Sequence, residues 1–474
     1  MLMIKSKKRE KWFIIFLIAL ITLYTILWIY FSCTNYSGIS FPKIINLAVI
    51  GVIYLEYLYI FRRNNILCFE LVFIPLFTLC LFFNDITGDL VSDAFSAVFN
   101  NFTENNQIVY KSICVNMLGL LFFMLGLSMA NIRNYTKMSE ATTLTINRKI
   151  LNYKDLSRLF SVFVALLFLY IVFSGAINTW FQYGRSIDNP NQYVGSLTRY
   201  LMINTVLEFG YLSSKQVNSF RAFLLKSNKL YLVIAITVSI ILVVSGNRGE
   251  SLQILLPIIF SYTIFITPIP SRYIIVGFIV GSFLMVISGI TRGGGDFGGE
   301  ISIYEYVRDF GFVNINSEYL ISYTDKYGPD GLTNAVVYAI AGIPFLGSLI
   351  LQIFNISLTM SAQTTTDGLQ VASSDSGLGT SAIGDLYYTG MFPFVVIMMF
   401  AIGYFLAYSY NSFYITKRVK ALALLTYLIL TANCVYFVRD MWYRYLEVVI
   451  YDIIILYLCY LFSFYAKTKN SVKK

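Results

Sequence analysis

Apolar runs of about 17–23 residues recur from one end of this chain to the other, and each is long enough to cross the hydrocarbon core of a bilayer. They lie near 12–31, 44–61, 66–83, 108–130, 159–176, 195–213, 230–245, 251–267, 273–290, 391–410, 421–438 and 445–465. The sixth is the least apolar, because Arg199, Asn204 and Glu208 interrupt it. With 57% hydrophobic and only 13% charged residues over 474 positions, the chain has too little polar surface for a soluble domain of this size. The expected fold class is therefore an all-α polytopic membrane protein of about twelve transmembrane helices. The first run is too long and too aromatic for a signal peptide, and it lacks a small-residue cleavage site.

Charge gives the orientation. With the N-terminus inside, 25 of the 35 Lys and Arg fall in cytoplasmic segments. On the same assignment about 17 of the 25 Asp and Glu fall outside, and only Glu10, Glu140 and Asp155 fall inside. Basic residues gather on the cytoplasmic side of membrane proteins, so the net charge of +10 reads as a topology signal and not as a nucleic-acid patch. Both termini are expected in the cytoplasm.

One polar stretch breaks the pattern, Thr291 to Gly390, and this topology makes it a long extracytoplasmic loop. Residues 335–354 within it are apolar for about 20 positions, with Gly342-Ile343-Pro344 in the middle. A single crossing there would carry 367–385 inside with no basic support. A broken or re-entrant amphipathic element at the outer leaflet fits better.

Absences narrow the chemistry. The chain has no histidine, which removes Ser-His-Asp triads, His-based zinc sites and histidine general bases. Its six cysteines form no C-x-x-C pair and read as small apolar packing residues. Arg292-Gly293-Gly294-Gly295 lacks the Gly-Lys-Ser/Thr of a phosphate-binding loop, and no cytoplasmic segment is large enough to hold a nucleotide. No metal site and no cofactor is expected.

What remains is a set of arginines on the side where arginine is rare. Arg248 lies in Ser245-Gly246-Asn247-Arg248-Gly249-Glu250, Arg292 ends the ninth run, and Arg439 and Arg444 bracket the link between the last two. Guanidinium groups bind phosphate oxygens with a planar fork, and neighbouring glycines admit close approach of an anion. Each could equally cap a helix C-terminus or snorkel to headgroups. Asp385, Glu250 and Asp296 are the carboxylates placed to take a proton; Asp385 could instead be the N-cap of the helix entering the tenth span. Tyr304, Tyr306, Tyr319, Tyr323, Tyr387 and Tyr388 could stack sugars or anchor the interface.

The Gly-Asn-Arg-Gly turn, the late extracytoplasmic loop and the Gly377-x-Gly379-x-Ser381…Asp385-x-Tyr387-x-x-Gly390 sequence closing it resemble the Wzy-type polymerases of O-antigen and capsular repeat units. The resemblance implies a GT-C-like arrangement of helices and a glycosyltransferase that joins undecaprenyl-diphosphate-linked oligosaccharides at the outer face. It implies diphosphate binding by Arg248 and Arg292, with Arg439 and Arg444 as second choices, and sugar contacts from Tyr304, Tyr319 and Tyr387. Membrane lipid, a chain-length regulator and a flippase are the implied partners. A flippase for the same lipid-linked glycan is the alternative reading. An O-antigen ligase is a further one, although such ligases generally use a loop histidine that is absent here.

Overall fold

The structure is a computed structural model that describes residues 2–33, 43–61, 67–83, 86, 106–138, 153–181, 193–277, 279–281, 303–343, 346–354, 364, 380–416, 418–434 and 436–472. Among these residues it is built from helices, with no strand. In chain order they are α1 (Leu2–Cys33), α2 (Lys43–Phe61), α3 (Phe69–Leu81), α4 (Asn106–Met138), α5 (Tyr153–Phe173), α6 (Ile177–Trp180), α7 (Val194–Ser214) and α8 (Phe220–Lys226). Then come α9 (Lys229–Val244), α10 (Arg248–Phe265), α11 (Ile303–Tyr327), α12 (Gly331–Ala341), α13 (Gly347–Ile353), α14 (Ala382–Thr416), α15 (Ala421–Ala432) and α16 (Trp442–Val472).

Four helices, α1, α4, α5 and α14, are long and apolar enough to cross a membrane, and the pair α8 and α9, bent by 105°, makes a fifth if it is one span. At 21 and 31 residues α7 and α16 are as long, but Arg199 and Glu208 on one and Arg444, Glu447 and Asp452 on the other make them less apolar. The surface agrees with a lipid setting. On α9, Tyr231, Ile234, Ala235, Val238 and Leu242 are buried, while Val233, Ile236, Ile240 and Val244 on the other side are exposed. A helix apolar all round is one covered by bilayer where protein does not cover it.

The centre of the bundle is α4, packed between α14 and α1. Two glycines set how closely α4 and α14 approach. A Cβ on Gly126 would sit 2.3 Å from the Phe400 carbonyl oxygen, and one on Gly403 would sit 2.3 Å from that of Phe123. Small residues of this kind let membrane helices touch backbone to backbone. A second apolar core joins α5, α7, α9 and α10 around Trp180, Tyr231 and Leu242.

Much of the long polar stretch is helical and packed into the bundle. From Val313 to Leu320 most of α11 is buried, with Asn314, Asn316, Ser317 and Glu318 inside. The Ser317 hydroxyl donates to Asn116 Oδ1 at 3.1 Å, which lets a polar helix lie against α4. The apolar 335–354 segment is divided between α12 and α13, and the break includes Gly342, where a Cβ would stand 2.8 Å from the Glu447 carbonyl oxygen of α16. At 11 and 7 residues neither piece has the length of a span.

Candidate functional site

Segments far apart in sequence meet at one end of the bundle, and backbone contacts place them. Thr380 N–H donates to the Arg439 carbonyl at 3.4 Å and Ala382 N–H to that of Val438 at 2.9 Å. These bonds lay the entry of α14 along the 433–441 turn. The start of α10 joins the same turn: Gln253 Nε2 donates to Asn433 Oδ1 at 2.9 Å, and a Cβ on Gly249 would lie 2.5 Å from the Tyr436 hydroxyl. Gly246 has φ of +83°, a left-handed conformation that glycine adopts without a Cβ penalty. Asn247 Nδ2 then donates to the Trp180 carbonyl at 3.1 Å and fixes this turn.

Entry into α14 is capped by Ser381, whose hydroxyl accepts the Gly384 N–H at 3.0 Å. That position is therefore not filled by Asp385. The Asp385 side chain is fully buried, and its Oδ2 accepts the Trp442 N–H at 2.9 Å. Trp442 is the first residue of α16, so the carboxylate satisfies a donor at the N-terminus of a different helix, where the dipole favours an anion. The Trp442 indole N–H also donates to Thr389 Oγ1 at 2.9 Å. Residues 382–389 are thus clamped to α16, and α14 leaves helical geometry just beyond them at Gly390 and Met391.

The charges at this junction differ in how they are held. Arg444 is exposed and paired with Asp440 at 3.1 Å. Arg439 is half-buried, within electrostatic reach of Cys80 at the end of α3, and its guanidinium makes no hydrogen bond or ion pair among the described residues. Glu250, in the first turn of α10, is half-buried and makes no hydrogen bond among the described residues. Arg248 is the first residue of α10 and so belongs to the junction by its backbone. Arg292 and Asp296 lie outside the described residues.

The tyrosines divide in the same way. Tyr304 belongs to the first turn of α11. Tyr319 is half-buried with its ring 6.1 Å from that of Tyr323. Tyr387 is fully buried, so its ring has no free face for a sugar in this conformation; its hydroxyl donates to Asp325 Oδ1 at 2.8 Å. The sequence reading missed Lys111, whose ammonium lies 2.5 Å from the other Asp325 oxygen. A second polar cluster lies between α7 and α16, in which Arg199 pairs with Glu447 at 3.5 Å and lies over the Tyr451 ring at 5.2 Å. Asp452 is fully buried beside that pair, with neither carboxylate oxygen hydrogen-bonded among the described residues. Charges inside apolar runs are the signal for both, but their partners lie more than 200 residues away in sequence.

Among the described residues no group of three or more Cys, Asp or Glu stands where it could hold a metal ion. Comparison with models of known protein families finds none that matches this chain, and no curated protein or solved structure matches it either.

Proposed function

We propose that this protein is a repeat-unit polymerase that joins oligosaccharides carried on a polyprenyl diphosphate, working at the outer face of a bacterial cytoplasmic membrane. The proposal includes twelve spans with both termini in the cytoplasm, from the distribution of basic residues. The observation that carries it is Arg439, a half-buried guanidinium with no hydrogen-bonding partner among the described residues, in the junction that also holds Arg248 and Glu250.

Repeat-unit transfer breaks the bond between the anomeric carbon of the donor glycan and the diphosphate, and its electron pair goes to the phosphate oxygen. The acceptor hydroxyl forms the new bond to that carbon and gives up its proton. Negative charge therefore grows on the leaving diphosphate, and a fixed guanidinium with donors to spare stabilises it. Arg439 has that freedom, whereas Arg444 shares its charge with Asp440. Glu250 is the carboxylate we assign to the acceptor proton, because Asp385 is buried and already engaged by Trp442. Asp385 becomes a positioning residue that holds α16, and with it the Arg439 turn, against 382–389.

A flippase is the second reading, favoured by the Arg199, Glu447 and Asp452 cluster within the bundle. Lipid-linked glycans extracted from a strain lacking the chain separate the two. Single repeat units accumulating on the outer leaflet support the polymerase; retention on the inner leaflet sinks it in favour of the flippase.

A further inference from the structure

At the far end of α7 from the junction, the chain turns by 105° between α8 and α9, across Ser227 and Asn228. The corner is fixed from inside the bundle. Buried Glu208 of α7 accepts the Asn228 N–H on Oε1 at 2.9 Å and the Ser157 hydroxyl of α5 on Oε2 at 2.6 Å. Asn228 in turn caps α9 by accepting the Leu230 N–H at 3.1 Å. On α8 the buried Phe223 docks against Phe209 and Tyr262, with ring centroids 5.9 and 5.4 Å apart. With α9 running across the bilayer, α8 is therefore held close to the membrane plane.

What this corner leaves uncovered is both apolar and basic. Phe220 and Leu224, one turn apart on the same side of α8, are 60% and 41% exposed, and Leu225 is 70% exposed. Lys215, Arg221, Lys226 and Lys229 are exposed around them, and none makes a hydrogen bond or ion pair among the described residues. No Asp or Glu occurs in the sequence between Glu208 and Glu250 to balance them. Membrane topology explains basic residues near the end of a span. It does not explain Arg221 and Lys229, which stand in the first turns of their helices, where the dipole disfavours a cation. Nor does it explain the large apolar side chains left open beside them. A helix lying in the interface uses both, apolar groups to enter the acyl boundary and cations to meet headgroup phosphates.

We infer that α8 and the corner after it form a binding platform for anionic phospholipid. Phe220 and Leu224 enter the acyl boundary, and Arg221 and Lys229, with Lys215 and Lys226 beside them, gather the phosphate headgroups. The lipid charge offsets the unfavourable placement of Arg221 and Lys229. Because Glu208 ties the corner to α7 and α5, lipid bound there braces the start of α9 against the bundle. On the topology given by the basic residues this is the cytoplasmic leaflet. The platform is independent of the chemistry proposed for the Arg439 junction.

The test uses the full-length protein in mild detergent, titrated in turn with phosphatidylglycerol and phosphatidylcholine, with bound lipid counted by native mass spectrometry. Phosphatidylglycerol should bind the more tightly. Arg221→Gln with Lys229→Gln should weaken its tightest site by on the order of tenfold and leave phosphatidylcholine unchanged. Arg418→Gln with Lys420→Gln, a matched pair of cations in another turn, should leave that site intact. Equal binding of the two lipids by the wild type, or equal weakening by the two pairs, would overturn the inference. Depth gives a second measurement that keeps all four cations. A spin label on Leu224→Cys, with Cys33→Ser and Cys459→Ser removing the other accessible thiols, is read in bilayers containing phosphatidylglycerol. It should lie below the phosphates, more accessible to oxygen than to a water-soluble nickel relaxant. A label in water would overturn the platform even if the charge variants failed to accumulate.

Discussion

Each charge at the junction is set apart by how it is partnered. Arg439→Lys keeps the charge but loses the planar fork, and Arg439→Ala loses both. Each should lower polymer formation by on the order of 10²-fold, the typical cost of removing one preorganised donor to developing charge. Protein level on a blot should be unchanged, because the guanidinium holds nothing in place among the described residues. Arg444→Ala should be mild, since its charge is shared with Asp440 at the surface. The carboxylates should separate by mechanism. Glu250→Gln should depress turnover in a well-folded protein. Asp385→Ala strands the Trp442 N–H and should cost about 1–3 kcal/mol of stability, read as earlier thermal unfolding in detergent. If Asp385→Ala were fully stable yet inactive, and Glu250→Gln fully active, the two roles would be reversed.

Elements were legible in the sequence where hydrophobicity alone decides them. The described apolar runs are helical because a helix satisfies its own backbone in lipid. α11 was not legible: Asn314, Asn316, Ser317 and Glu318 read as loop polarity, but the helix is buried through tertiary hydrogen bonds such as Ser317 to Asn116, 201 residues away. The same limit hid the site. Nothing local to Asp385 announces that its carboxylate belongs to Trp442, 57 residues on. The Arg248 and Arg439 turns, by contrast, stood out as arginines beside outer span ends. Packing between elements gives its own prediction. Gly126→Ala or Gly403→Ala would put a methyl 2.3 Å from a carbonyl oxygen of the facing helix and force α4 and α14 apart. Both should lose folded protein, measured as the monodisperse fraction after detergent extraction. Gly51→Ala and Gly195→Ala, with nothing within 4 Å, should match wild type. Equal yields from all four would contradict the close α4–α14 contact.

For the whole molecule, topology and chemistry must agree. The charge distribution predicts that a cysteine placed at Ser374 reacts with an impermeant reagent in intact spheroplasts, while one at Ser471 is protected. The opposite pattern would put the polar stretch in the cytoplasm and remove lipid-linked glycans of the outer leaflet as substrates. The absence of histidine and the arginines of the junction together predict a transfer that needs no divalent cation, nucleotide or ATP. The most direct measurement is elongation of purified polyprenyl-diphosphate-linked repeat units by the protein in nanodiscs, in excess EDTA. The wild type should give a ladder of polymer, and Arg439→Ala only single units. No ladder from the wild type until Mg²⁺ or Mn²⁺ is restored, or a full ladder from Arg439→Ala, would contradict this.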